Sequence, residues 1–112
     1  MFKKAQRLNS KELGLFFKDK SFFRKGRLVV LRYRKSLKKH PKFAFVVSGP
    51  KRSAVARNLA RRRIAGIVRS ELQNRQKNID MVFFLKLGQD RKVPKFNELK
   101  TDIINVVSSI NL

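Results

Sequence analysis

The chain has 112 residues, which suits one domain with a single modest core and leaves no room for two. Its 29 Lys and Arg face 7 Asp and Glu, a formal net charge of +22, so the partner is expected to be a polyanion, nucleic acid ahead of a membrane surface, with no small-molecule substrate. The lack of cysteine excludes disulfides and thiolate metal sites, and no apolar run approaches the roughly 20 residues that cross a bilayer, which predicts a soluble, cytoplasmic protein.

In chain order, the basic start Met1 to Arg7 has no apolar stretch after it, so no secretory signal is expected. Ser10 is placed to cap a helix over residues 10–18, with Leu13, Phe16 and Phe17 on one face. Gly26 precedes a strand over residues 27–34 in which Val29, Leu31 and Tyr33 share a face. The segment 36–41, with His40 and Pro41, reads as an exposed connection to a second strand over residues 42–47. The pair reads as an antiparallel hairpin.

Gly49 and Pro50 break the chain, and Ser53 can cap a long helix over residues 54–73. Steps of 100° place Ala56, Ala60, Ile64, Ile67 and Val68 on one face, and Asn58, Arg61, Arg62, Ala65 and Arg69 on the other, with Arg57 and Arg63 at the stripe's edges. After a polar bridge over residues 74–78, the run Met81, Val82, Phe83, Phe84 and Leu85 reads as a strand buried on both faces and central in its sheet. A basic loop over residues 89–95 leads to a packing helix over residues 96–110, with Phe96, Leu99, Ile103, Val106, Val107 and Ile110 at helical spacing. The order α-β-β-α-β-α predicts a small single α+β domain in which helices pack on a mostly antiparallel sheet and the long basic helix links two strands.

Charge is unevenly placed. Residues 20–70 hold 17 Lys and Arg and no carboxylate, so this stretch cannot be neutralised locally as a mixed-sign solvated surface would be. Lys51, Arg52, Arg57, Arg61, Arg62, Arg63 and Arg69 lie on or just before the long helix, where guanidinium forks suit phosphate, and Asn58 adds a donor and an acceptor for a base edge or ribose hydroxyl. Phe16, Phe17, Phe22, Phe23 and Tyr33 stand among cations, a combination on which single-stranded RNA can stack. Phe16, Phe43, Phe45, Phe83 and Phe84 are assigned to the core first, leaving Phe17 and Tyr33 as the better platform candidates. The acids are scattered and the one histidine lies among lysines, so neither a metal-carboxylate cluster nor an acid–base pair is expected. Catalytic side chains are therefore not expected.

On the long helix, Ser53-Ala54-Val55-Ala56-Arg57-Asn58-Leu59-Ala60-Arg61-Arg62-Arg63-Ile64, preceded by Val47-Ser48, resembles the signature of the bacterial ribonuclease P protein subunit. Arg7-Leu8, Phe16-Phe17-Lys18 and Leu28-Val29-Val30-Leu31 are similar in kind and spacing to that family's N-terminal half, and the likeness runs to about Glu71. Leu59, Ala65 and Gly49-Pro50 depart from positions that are commonly basic in the family, and Leu13 from one that is commonly aromatic.

The resemblance implies a protein that binds a catalytic RNA and the 5′ leader of precursor tRNA, supporting removal of the leader. Hydrolysis then belongs to the RNA, and Mg²⁺ is bound chiefly by the RNA subunit and substrate. By position, Arg57, Asn58, Arg61 and Arg62 would meet the RNA subunit, joined by Lys51, Arg52, Arg63 and Arg69. Phe17, Leu31, Arg32 and Tyr33 would line the leader cleft. A ribosomal-type structural RNA-binding protein is the alternative that shares the charge without the Arg-Asn signature.

Overall fold

The computed structural model describes residues 21–35, 42–49, 54–72, 79–88 and 92–110. The expected helix over residues 10–18, with Phe16 and Phe17, and the connection bearing His40 lie outside them, as do Pro50, Lys51, Arg52 and Ser53. The described chain forms strands β1 (Phe22–Lys25), β2 (Val29–Lys35) and β3 (Phe43–Ser48), helix α1 (Ala54–Leu72), strand β4 (Ile79–Lys86) and helix α2 (Phe96–Ser108).

The four strands make one mixed sheet in the order β1-β2-β4-β3. β1 and β2 are antiparallel, β2 and β4 are antiparallel, and β3 and β4 are parallel with α1 as the crossover between them. The expected β2–β3 hairpin is thus corrected. β4 lies between the two strands, pairing Leu31 with Phe83 on one side and Phe45 with Phe83 on the other. The cause is legible in β4 itself. Met81, Phe83 and Leu85 point to one face and Val82 to the other, all of them buried, and a strand apolar on both faces is stable only with neighbours on both edges and cover above and below.

One face of the sheet carries Val29, Leu31, Tyr33, Phe43, Val47, Met81, Phe83 and Leu85 into a common core with Ala60, Ile64, Ile67 and Val68 of α1 and Leu99, Ile103, Val106 and Val107 of α2. Phe45 stacks on Phe83 within it, ring centroids 6.0 Å apart. The apolar stripe predicted on the long helix is the stripe that packs, with Ala56 half-buried at its N-terminal end. Phe96 departs from its predicted role, remaining 43% exposed at the first turn of α2.

Both described acids of the interior are used structurally. Asp80 on β4 forms an ion pair with Arg34 across the β2–β4 ladder, Nε to Oδ2 3.5 Å, and its Oδ1 accepts a hydrogen bond from the Lys42 backbone N–H at 3.2 Å. Asp102 of α2 accepts three backbone N–H bonds where β1 turns into β2, from Arg27 (2.8 Å), Leu28 (2.8 Å) and Val29 (2.9 Å). The turn is itself closed by Gly26 N–H donating to Val29 O at 2.8 Å. A single carboxylate thus satisfies three backbone donors, none of which is paired in the β1–β2 ladder, and fixes the edge hairpin to the C-terminal helix.

Candidate nucleic-acid interface

Helix α1 begins with no acidic residue in its first turn and ends with Arg69 in its last. Its buried stripe is held against β3 and α2, so the opposite face is turned outward by packing rather than by any property of the arginines. Asn58, Arg61, Arg62 and Arg69 are exposed on that face. Arg61 Nη1 donates to Asn58 Oδ1 at 3.0 Å, one helical turn apart, which couples the amide and the guanidinium as one polar unit.

Arg57 and Arg63 are half-buried at the edges of the stripe, as their angular positions require. Arg63 Nη1 donates to Pro94 O at 2.8 Å, so part of its donor set is spent on tying α1 to the segment leading into α2. Lys100 and Glu71 make a second link between the two helices, at 3.3 Å. Of the residues expected to meet the RNA subunit, four therefore stand together in the open, two flank them, and Lys51 and Arg52 fall outside the described residues. Val55 and Leu59 are exposed beside the arginines, 83% and 39%, so this face is not uniformly cationic.

The residues expected to line a leader cleft are separated by the pleat. Leu31 is fully buried and Tyr33 is 9% exposed, both on the core face, so Leu31 has no surface to offer a ligand. Arg32 is half-buried on the other face, between Phe23 of β1 and fully buried Val82 of β4, with half-buried Val30 and Phe84 next along that face. Phe17 lies outside the described residues.

Sequence reasoning missed two features. The first is β1, whose residues Phe22-Phe23-Arg24-Lys25 show no alternation and carry no strand signal beyond aromatics near cations. The second is the Asp102 clamp, an acid on the polar side of a packing helix whose partners are about 75 residues away. An open cavity of about 590 Å³ beside this clamp is lined by Arg27, Leu28, Asn97, Glu98, Thr101, Asp102 and Asn105, and none of the α1 arginines reaches it. Among the described residues no three His, Asp or Glu side chains come together, and no helix is long and apolar enough to cross a membrane.

A mixed sheet covered by two helices, with one helix presenting an arginine-rich outer face, defines a small basic α+β domain. A family model described as Ribonuclease P matches residues 2–111. The chain belongs to the ribonuclease P protein family, whose members are components of a tRNA-processing ribonuclease complex and partners of ribonuclease P RNA.

Solved structures agree on the fold. The ribonuclease P protein of Thermotoga maritima superposes with a TM-score of 0.76 at 21% identity, covering 95% of this chain and 98% of that one. That of Staphylococcus aureus gives 0.75 at 18% identity, covering 94% of each chain. A Staphylococcus aureus mutant described as defective in mRNA degradation gives 0.76 at 18% identity over 94% of this chain and 87% of that one. No curated protein matches the sequence significantly.

Proposed function

We propose that this chain is the protein subunit that binds the catalytic RNA of ribonuclease P through the outer face of α1 and holds the 5′ leader of precursor tRNA, so supporting removal of the leader. The observation that carries this reading is the exposed cluster of Asn58, Arg61, Arg62 and Arg69 on a helix bearing the Arg57-Asn58 signature, in a chain of this family. Arginine forks at that spacing bind phosphates of a folded RNA without reading sequence, and Asn58 supplies one group able to meet a base edge or a ribose hydroxyl.

In this reading the leader runs over the sheet face that carries Arg32, where half-buried apolar side chains give the bases something to lie on and the guanidinium takes a phosphate. Tyr33 and Leu31 support that strand from beneath. The protein's role is accessory. It screens the repulsion between two RNAs, so that less Mg²⁺ is needed by the RNA subunit and substrate that chiefly hold it.

The test is reconstitution. Purified chain added to a bacterial ribonuclease P RNA at limiting Mg²⁺ should restore cleavage of precursor tRNA at the mature 5′ end. Binding without restored cleavage would favour a ribosomal-type structural role.

A further inference from the structure

We propose that the edge strand β1 is a stacking platform for unpaired RNA, with a base on the outer face of Phe22 and the adjoining phosphates on Arg24 and Arg27. The proposal rests on the reading that this chain works on RNA, and it adds a binding surface separate from both the α1 face and the Arg32 face of the sheet.

Phe22 and Phe23 are each 62% exposed, the most exposed aromatics among the described residues. A strand of four residues that leaves all four side chains in solvent gains little from burial, and its two phenyl rings remain costly in water unless something covers them. Phe22 is not a stray ring. It pairs across the ladder with Tyr33 and stacks on it, centroids 5.6 Å apart with 30° between the planes. Tyr33 is buried beneath, so the pair forms a stack whose lower ring is fixed in the core and whose upper ring faces outward.

The Arg24 guanidinium lies 5.7 Å from the Tyr33 centroid, on the same face of the hairpin two residues further along, and its Nη1 donates to Phe23 O at 3.0 Å. Its remaining donors point to no described acid. Arg27 follows in the exposed turn, in the acid-free stretch of the sequence, whereas Lys25 pairs with Val30 and lies on the Arg32 face. An outward aromatic beside two cations offers a base and its neighbouring phosphates complementary partners.

The same features argue against a second copy of the chain as the cover. Pairing β1 with β1 would bring Arg24 and Lys25 of two molecules together, each molecule already at +22. The Asp102 clamp explains how so small a strand keeps its place, since the three N–H bonds to that carboxylate hold the β1–β2 turn.

Tyr33 is the only tyrosine in a chain without tryptophan, which makes it a built-in reporter. Titrating the full chain with an oligoadenylate of about ten nucleotides, within the site sizes usual for such surfaces, should quench Tyr33 emission. Phe22→Leu keeps an apolar side chain but removes the π-face, and should weaken binding about tenfold, as loss of one stacked base requires, while leaving the salt dependence of binding unchanged. Phe22→Trp should retain the affinity, read by anisotropy of a labelled oligonucleotide.

Equal affinity for Phe22→Leu and the parent would overturn the proposal. So would sedimentation showing a dimer that Phe22→Leu dissociates. Reconstituted cleavage is read separately. Normal cleavage with no Phe22 dependence sinks this platform alone, whereas Phe22-dependent binding without cleavage leaves the platform and sinks the ribonuclease P role.

Discussion

A Cβ placed on Gly26 would lie 2.6 Å from the Asp102 carboxylate oxygen Oδ2, and as close to Val106 Cγ2. The turn between β1 and β2 can therefore approach helix α2 only because residue 26 lacks a side chain. Gly26→Ala should destabilise the protein by roughly 2 kcal/mol through overpacking. Asp102→Asn should cost more, on the order of 3 kcal/mol, because an amide cannot replace three charge-assisted acceptor contacts and sets its own donor against backbone N–H groups. Denaturant unfolding measures both, and an Asp102→Asn protein as stable as the parent would show that the carboxylate does not hold the turn.

Arg61 and Arg62 face solvent while Arg63 is tied to Pro94 O, so the three neighbouring arginines are not equivalent. Replacing Arg61 and Arg62 together by Ala should lower the slope of log affinity against log salt for ribonuclease P RNA by about one to two units. Arg63→Ala should change that slope less and instead lower stability by about 1 kcal/mol through loss of the link to Pro94. Equal slope changes would mean that Arg63 leaves its carbonyl when RNA binds.

Arg34 and Asp80 are both nearly buried, and breaking such a pair from one side takes a counterion away from a charge held out of water. Asp80→Ala should cost about 3–5 kcal/mol, since the Lys42 N–H also loses its acceptor. Thermal unfolding at neutral pH checks this, with the far-ultraviolet spectrum showing whether the sheet survives.

Gly66 stands in the interior of α1 in exposed surroundings, where an added Cβ meets only Phe96 at 4.0 Å, an ordinary contact. Nothing within the described chain requires glycine there. Gly66→Ala should stabilise the free protein by about 0.5–1 kcal/mol by restricting the unfolded chain and favouring the helix. A loss of stability on melting would show a constraint at this position that the fold does not reveal.

The helices and the central strand were legible because each carries its own periodicity over many residues. The long helix was predicted over 54–73 and spans Ala54–Leu72, and the packing helix was predicted over 96–110 and spans Phe96–Ser108. The predicted apolar stripe of α1 is buried and its predicted cationic face is open, which positioned Asn58, Arg61, Arg62 and Arg69 correctly in advance. Strand pairing was less accessible. β2 and β3 are neighbours in sequence, and proximity suggested a hairpin, but pairing is decided by which strand most needs burial on both sides, and that strand, β4, arrives some thirty residues later. The alternation of β2 correctly grouped Leu31 with Tyr33, yet it could not say which face the helices would cover. The exposed ring at the sheet edge is consequently Phe22 and not Tyr33, which lies under it.

In the proposed role, the outer face of α1 joins this protein to ribonuclease P RNA and thereby lowers the Mg²⁺ that cleavage needs. The most direct measurement is the rate of precursor tRNA cleavage as a function of Mg²⁺ concentration for the RNA alone, with the parent chain, and with Arg61→Ala and Arg62→Ala combined. The parent should shift the midpoint to lower Mg²⁺ and the double variant should shift it back toward RNA alone. Parent and double variant giving the same midpoint, or a parent indistinguishable from RNA alone, would contradict the claim.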